Sequence, residues 1–152
     1  SSSSRGLGDV YKRQPVITFI CLIAQFILLS TIPIPIAINL VLGLLVLSSS
    51  LAIIIFSFME LNKFETTYVP DGDPEKLVQT GPFRYSRNPI YLGMLGILIS
   101  VCFFSQSLST FIVPVVFFFI IESTWIKHEE DKLADKFKNE WDEYKASTRK
   151  WI

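Results

Sequence analysis

No charged side chain occurs from Gln14 to Met59 or from Asn88 to Ile121, although the 152-residue chain carries fourteen basic and fourteen acidic residues. A water-soluble helix presents a solvating face every few residues. Uncharged runs of this length leave no such face, and a lipid bilayer is the solvent that tolerates them. The zero net charge offers no surplus of cations to grip a phosphate backbone, so no nucleic-acid partner is expected. Membrane lipids are the expected surroundings.

Crossing the hydrocarbon layer takes about 20 apolar residues, so the first run is enough for two crossings. Pro33 and Pro35 remove backbone donors and put the fold-back at 31–35. This predicts helices over 15–30 and 36–59. The second run breaks at the hydroxyl-rich stretch 105–110, predicting helices over 90–104 and 111–145, the last part of the final one being cytoplasmic. The apolar segments of this second hairpin are short, about 15 residues or roughly 23 Å, and two steep crossings are preferred to a re-entrant pair. Both turns lack Lys and Arg, so the positive-inside rule assigns both termini and the 60–87 segment to the cytoplasm. The expected fold is all-α and integral to the membrane: a multi-pass, four-helix transmembrane bundle of two hairpins, with a cytoplasmic loop and an amphipathic helix beyond the last crossing. Residues 1–14 read as a non-native or disordered leader and 15–152 as a single domain. Cys21 and Cys102 sit inside apolar runs and read as packing residues, and with one histidine, His128, no metal site is expected.

The cytoplasmic blocks hold the concentrated chemistry. Pro70-Asp71-Gly72 and Gly81-Pro82 are turn signals, with a short extended stretch between them at 76–79. Tyr68, Phe83 and Tyr85 give this loop something to bury. Asn88 suits a helix N-cap and Pro89 the first helical position, so a helix entrance with its unpaired N–H groups is expected beside Arg87. Two roles suit that arginine: holding an anion at the entrance, or snorkelling to lipid phosphates. Gly93 and Gly96 allow close approach of a neighbouring helix or a ligand. After Ile121 the apolar stripe Ile126, Leu133, Phe137, Trp141, Tyr144 recurs at helical spacing, with Glu129 and Glu130 where the stripe meets the membrane. Glu122 stands two turns earlier and, on a regular helix, on nearly the same face. A carboxylate at the end of an apolar span is costly unless paired or wet, which makes it a functional candidate.

The run 77–93, containing Thr80-Gly81-Pro82-Phe83-Arg84-Tyr85 and Arg87-Asn88-Pro89, together with Glu129-Glu130, Trp141, Tyr144 and Trp151, resembles the isoprenylcysteine carboxyl methyltransferase and phospholipid methyltransferase superfamily of integral-membrane enzymes. That resemblance implies S-adenosylmethionine as cofactor. Carried over by position, it implies cofactor contacts at Lys76, Leu77, Val78, Phe83, Asn88, Pro89, Ile90, Tyr91, Glu129 and Glu130. Many members have Arg-His-Pro where this chain has Arg87-Asn88-Pro89, so any titrating role of that histidine is absent here. The glycines of the chain form no Gly-x-Gly motif after a strand, which excludes the soluble dinucleotide-type design.

Methyl transfer from a sulfonium asks the protein mainly to align donor and acceptor and to exclude water. Arg87 and Glu122 are the side chains expected to act on the acceptor. A carboxylate acceptor would use the cation and an amine acceptor the carboxylate, and the sequence leaves that choice open. The expected activity is methyl transfer to a lipid-like or prenylated acceptor at the cytoplasmic interface. The competing expectation is a non-enzymatic four-helix membrane protein acting as an assembly partner.

Overall fold

The computed structural model describes residues 31–66 and 74–152. The leader, the helix expected over 15–30, Cys21, Tyr68 and the turn at 70–72 lie outside the described residues. Those described are helical, with no strand among them beyond one isolated bridge.

Helix α1 runs Ile36–Lys63, one turn further than the charge pattern predicts. Glu60 does not end the helix because its carboxylate is satisfied in place: it pairs with Lys63 at 2.7 Å and accepts the Thr80 hydroxyl at 2.6 Å. Helix α2, Pro89–Ser105, opens with proline at its first turn, where a missing N–H costs nothing. It ends at Gln106, whose left-handed backbone (φ 54°) turns the chain into the 105–110 loop.

The two helices pack as an antiparallel hairpin through small residues. Gly93 and Gly96 both face Ser50 on α1, and a Cβ at Gly93 would lie 2.9 Å from the Ser50 carbonyl oxygen and inside the Ile54 side chain. Ser50 is itself buried and returns its hydroxyl to Val46 O at 2.6 Å. Close approach of backbones is the way helices gain contact where lipid removes the hydrophobic drive.

The expected single helix over 111–145 is instead several pieces. A 3-10 turn, Leu108–Phe111, leads into α3, Ile112–Ile121. A π turn, Glu122–Ile126, then joins α3 to α4, Lys127–Phe137, without a break in direction. Lys138 takes a positive φ of 46° and bends the chain into α5, Asn139–Ser147. The bend lets Trp141 and Tyr144 fold back into the protein, where both are buried.

Two stretches, Ile36–Lys63 and Leu108–Phe137, are long and apolar enough to cross a membrane. In each, 17% of the most apolar window is buried inside the protein, so most of its side chains point outward, unlike the core helix of a soluble domain. The turn segments 31–35 and 105–110 meet at one end, where Thr31 bridges Ser107 and Ile32 N–H donates to Gln106 O at 2.9 Å. At the other end Tyr91, Ile121 and Ile126 form a small core, with Phe117 and Trp151 packed on it. Cys102 is buried, as a packing residue should be.

Gly93→Leu should force α1 and α2 apart, because the obstacle is backbone as well as side chain. A loss of about 1–3 kcal/mol is expected, seen as a lowered thermal unfolding midpoint in detergent.

Candidate active site

A cavity of about 300 Å³ lies at the end of the bundle opposite the paired turns, at the lower end of the ~300–1,000 Å³ range of small-molecule pockets. Its floor comes from Phe58 and Leu61 at the end of α1 and from Ile90, Tyr91 and Met94 in the first turns of α2. The loop before α2 covers it with Lys76, Leu77, Val78 and Phe83. Glu129, Glu130 and Leu133 of α4 close one side, and Trp141 and Tyr144 of α5 the back.

Arg87 organises this end. Its Nε donates to Glu130 Oε1 at 3.1 Å, its Nη2 lies 3.1 Å from the same oxygen as an ion pair, and Nη1 donates to the carbonyls of Thr148 and Lys145 at 2.7 and 3.2 Å. The guanidinium also lies 5.8 Å from the centre of the Trp141 ring, within cation–π range. The Arg87 side chain is 8% exposed and that of Glu130 15%, so the pair is largely out of water. Arg87 N–H donates to Arg149 O at 3.0 Å, fastening residues 148–152 across the start of α2.

Asn88 occupies the cap position without capping. Its Nδ2 donates to Lys150 O at 3.1 Å, and its own N–H donates to Ser86 Oγ at 3.1 Å. The free N–H groups of the α2 entrance are therefore not taken by the Asn88 side chain. Tyr91 OH donates to Glu129 Oε1 at 2.7 Å, which ties α2 to α4 at the cavity wall. Tyr144 OH donates to Phe83 O at 2.6 Å and pins the covering loop to α5. Burial pushes the Tyr144 phenol above its ordinary pKa, with Arg87 opposing and Glu130 adding to the rise, so it stays a donor. Thr66 Oγ1 accepts from the N–H groups of Glu75 and Lys76 at 3.1 and 3.5 Å and holds the loop's other end.

The model of the phospholipid methyltransferase family matches residues 38–140, about two thirds of the chain. The chain belongs to that family. No curated protein and no solved structure matches it.

For this phospholipid methyltransferase family member, the cofactor positions expected from sequence converge on one cavity, with Pro89 the exception: it is buried beneath the α2 entrance and does not line the space. Of the two residues expected to act on the acceptor, Arg87 lines the cavity with its donors largely spent. Glu122 lies outside it. Its Oε1 pairs with Lys150 Nζ at 2.5 Å and its Oε2 accepts the Trp151 indole N–H at 3.1 Å. The π turn explains the change of face. It begins at Glu122 and inserts a wider turn between Glu122 and Glu129, so a seven-residue spacing no longer keeps both on one side.

Trp141, Tyr144, Leu133 and Trp125 line the cavity as well. The first three lie on the apolar stripe read from the sequence, but only the bend at Lys138 brings α5 round to the cavity. Leu61 was hidden by ending α1 at Met59.

Arg87→Ala should leave the Glu130 carboxylate and two carbonyls without their donor. A loss of about 3 kcal/mol or more is expected, measured by chemical unfolding in detergent. Arg87→Lys should recover only part of it, since an ammonium cannot reach the carboxylate and both carbonyls from one planar fork.

Proposed function

We propose that this protein is a membrane-embedded methyltransferase that moves a methyl group from S-adenosylmethionine to a lipid-like or prenylated acceptor at the cytoplasmic end of a four-crossing bundle. The observation that carries this reading is the meeting of the α2 entrance with Glu129 and Glu130 around one cavity, with Arg87 and Glu130 in direct contact at 3.1 Å. Family membership supports methyl transfer and a lipid substrate.

The residues fit the cofactor. Aromatic and aliphatic side chains make up most of the wall, with Phe83 and Tyr91 among them, and two carboxylates are at hand to face a cation. When bound, S-adenosylmethionine supplies a methyl group already activated on a positively charged sulfur. What the chain must add is orientation, exclusion of water and a place for a proton. The loop pinned by Tyr144 and Thr66 supplies the cover. Glu129, fixed by Tyr91, and Glu130, fixed by Arg87, supply negative charge in set positions.

The acceptor's character follows from what is left uncommitted. Arg87 already serves Glu130 and two carbonyls, so it is poorly placed to hold an anionic acceptor. Its role here is to position Glu130. An amine acceptor must lose a proton before it attacks, and Glu129 lies on the cavity wall to receive it. We therefore favour an amine-bearing lipid over a prenylcysteine carboxylate. Met94 and Trp125 line the cavity yet are 41% and 54% exposed on the apolar flank, which gives a lipid tail a side from which to reach the space.

The topology belongs to the same proposal. Helix α2, 17 residues or roughly 26 Å, crosses with little tilt. The paired turns lie on the far side, and both termini with the cavity lie on the cytoplasmic side, where the basic residues are.

Incubation with methyl-labelled S-adenosylmethionine and either an aminophospholipid or a prenylcysteine mimic tests the reading. Label should pass to the amine lipid. Glu129→Gln should cut that transfer on the order of 10²-fold, and Glu130→Gln should weaken cofactor binding. A protein that only docks partners would bind no cofactor and transfer no label.

A further inference from the structure

Lys150 reaches three parts of the protein at once. Its Nζ lies 2.5 Å from Glu122 Oε1 and 3.8 Å from Glu130 Oε2. Its carbonyl accepts from Ser86 Oγ at 3.3 Å and Asn88 Nδ2 at 3.1 Å. It thereby joins the π turn, α4 and the entrance of α2. Glu130 is consequently flanked by two cations from different segments: Arg87 holds Oε1 and Lys150 stands nearest Oε2.

Residues 148–152 do not need the Lys150 charge to stay in place. Arg87 N–H and Nη1 hold the carbonyls of Arg149 and Thr148. The Trp151 indole donates to Glu122 and its ring stacks on Phe118 at 5.1 Å. The ammonium is thus surplus to the fastening and has a second use. A carboxylate bracketed by cations at both oxygens is held to one orientation, as an outer set of partners orients the ligands of a binding site.

We propose that Lys150 is a positioning residue, which acts through Glu130 to fix the carboxylate that faces the cofactor. The inference rests on the cofactor reading above and adds to it a residue that does not itself line the cavity. With Glu122 as its counter-charge, the ammonium is kept beside Glu130 without being neutralised by it alone.

The test measures S-adenosylmethionine affinity and thermal unfolding together, in detergent, for the full chain and its variants. Lys150→Met should weaken binding by about tenfold, the lower end of the loss seen when groups that orient metal ligands are removed, with a small shift in unfolding temperature. Lys150→Arg should restore it. The exchanged pair Glu122→Lys with Lys150→Glu separates the two roles. It keeps the ion pair to the π turn but loses the Trp151 indole bond, so unfolding should return part of the way toward that of the unaltered protein, while the negative charge it sets beside Glu130 should keep binding weak. Recovery of both quantities in the exchanged pair, or unchanged affinity in Lys150→Met, would overturn the proposal and leave Lys150 a fastener. Should Lys150→Met fail to fold, the exchanged pair decides alone. Absence of binding by the unaltered protein would instead overturn the cofactor reading and this inference with it.

Discussion

A guanidinium that has lost most of its water sets the terms for the cavity end of this protein. The Arg87 side chain is 8% exposed, and a cation so placed must be paired and hydrogen-bonded to offset its lost hydration. The match comes from Glu130 on α4, from carbonyls at and just beyond α5, and from the Trp141 face. The partners come from α4, from α5 and from the residue just past its end. Satisfying one side chain therefore fixes α4, α5 and residues 148–152 against the start of α2, and the cavity is the space enclosed when they are so fixed. Such a pair adds little net stability over an apolar replacement. What it adds is a single arrangement.

The two ends of the bundle are held by different forces. Where the turns meet, the links are backbone to backbone, with short hydroxyl contacts such as Ser105 to Thr110 at 2.9 Å, and no charged residue takes part. At the cavity end ionic and charge-assisted links from Arg87, Lys150 and Glu129 join the neutral ones. The chain thus concentrates its charged contacts around the cavity, and leaves the outward-facing length of α1 and α3 to side chains such as Leu44, Leu45 and Phe119 that solvate well in hydrocarbon.

Much of this was legible in the sequence. Uncharged runs gave the apolar helices, prolines and hydroxyl residues gave the turns, and the Arg87-Asn88-Pro89 and Glu129-Glu130 pairs gave the residues that meet. What was hidden shares one cause: it depends on partners distant in sequence. Glu60 looked like the end of a helix because its acceptor bond from Thr80 is invisible to a local reading. Asn88 looked like a cap because its bond to Lys150 joins residues 62 positions apart. The bend at Lys138 has no glycine or proline to announce it, and Arg87 looked free for a ligand because its carbonyl partners carry no sequence signature.

The π turn at Glu122–Ile126 carries a lesson for comparing chains of this kind. One wider turn breaks the link between residue count and angular position, so heptad spacing ceases to be a ruler across that point. Alignments that score facing residues by periodicity should be cut at Ile121 and restarted at Lys127. Aligned otherwise, a chain with a regular helix here would match letter for letter while turning its acidic side chains toward a different neighbour.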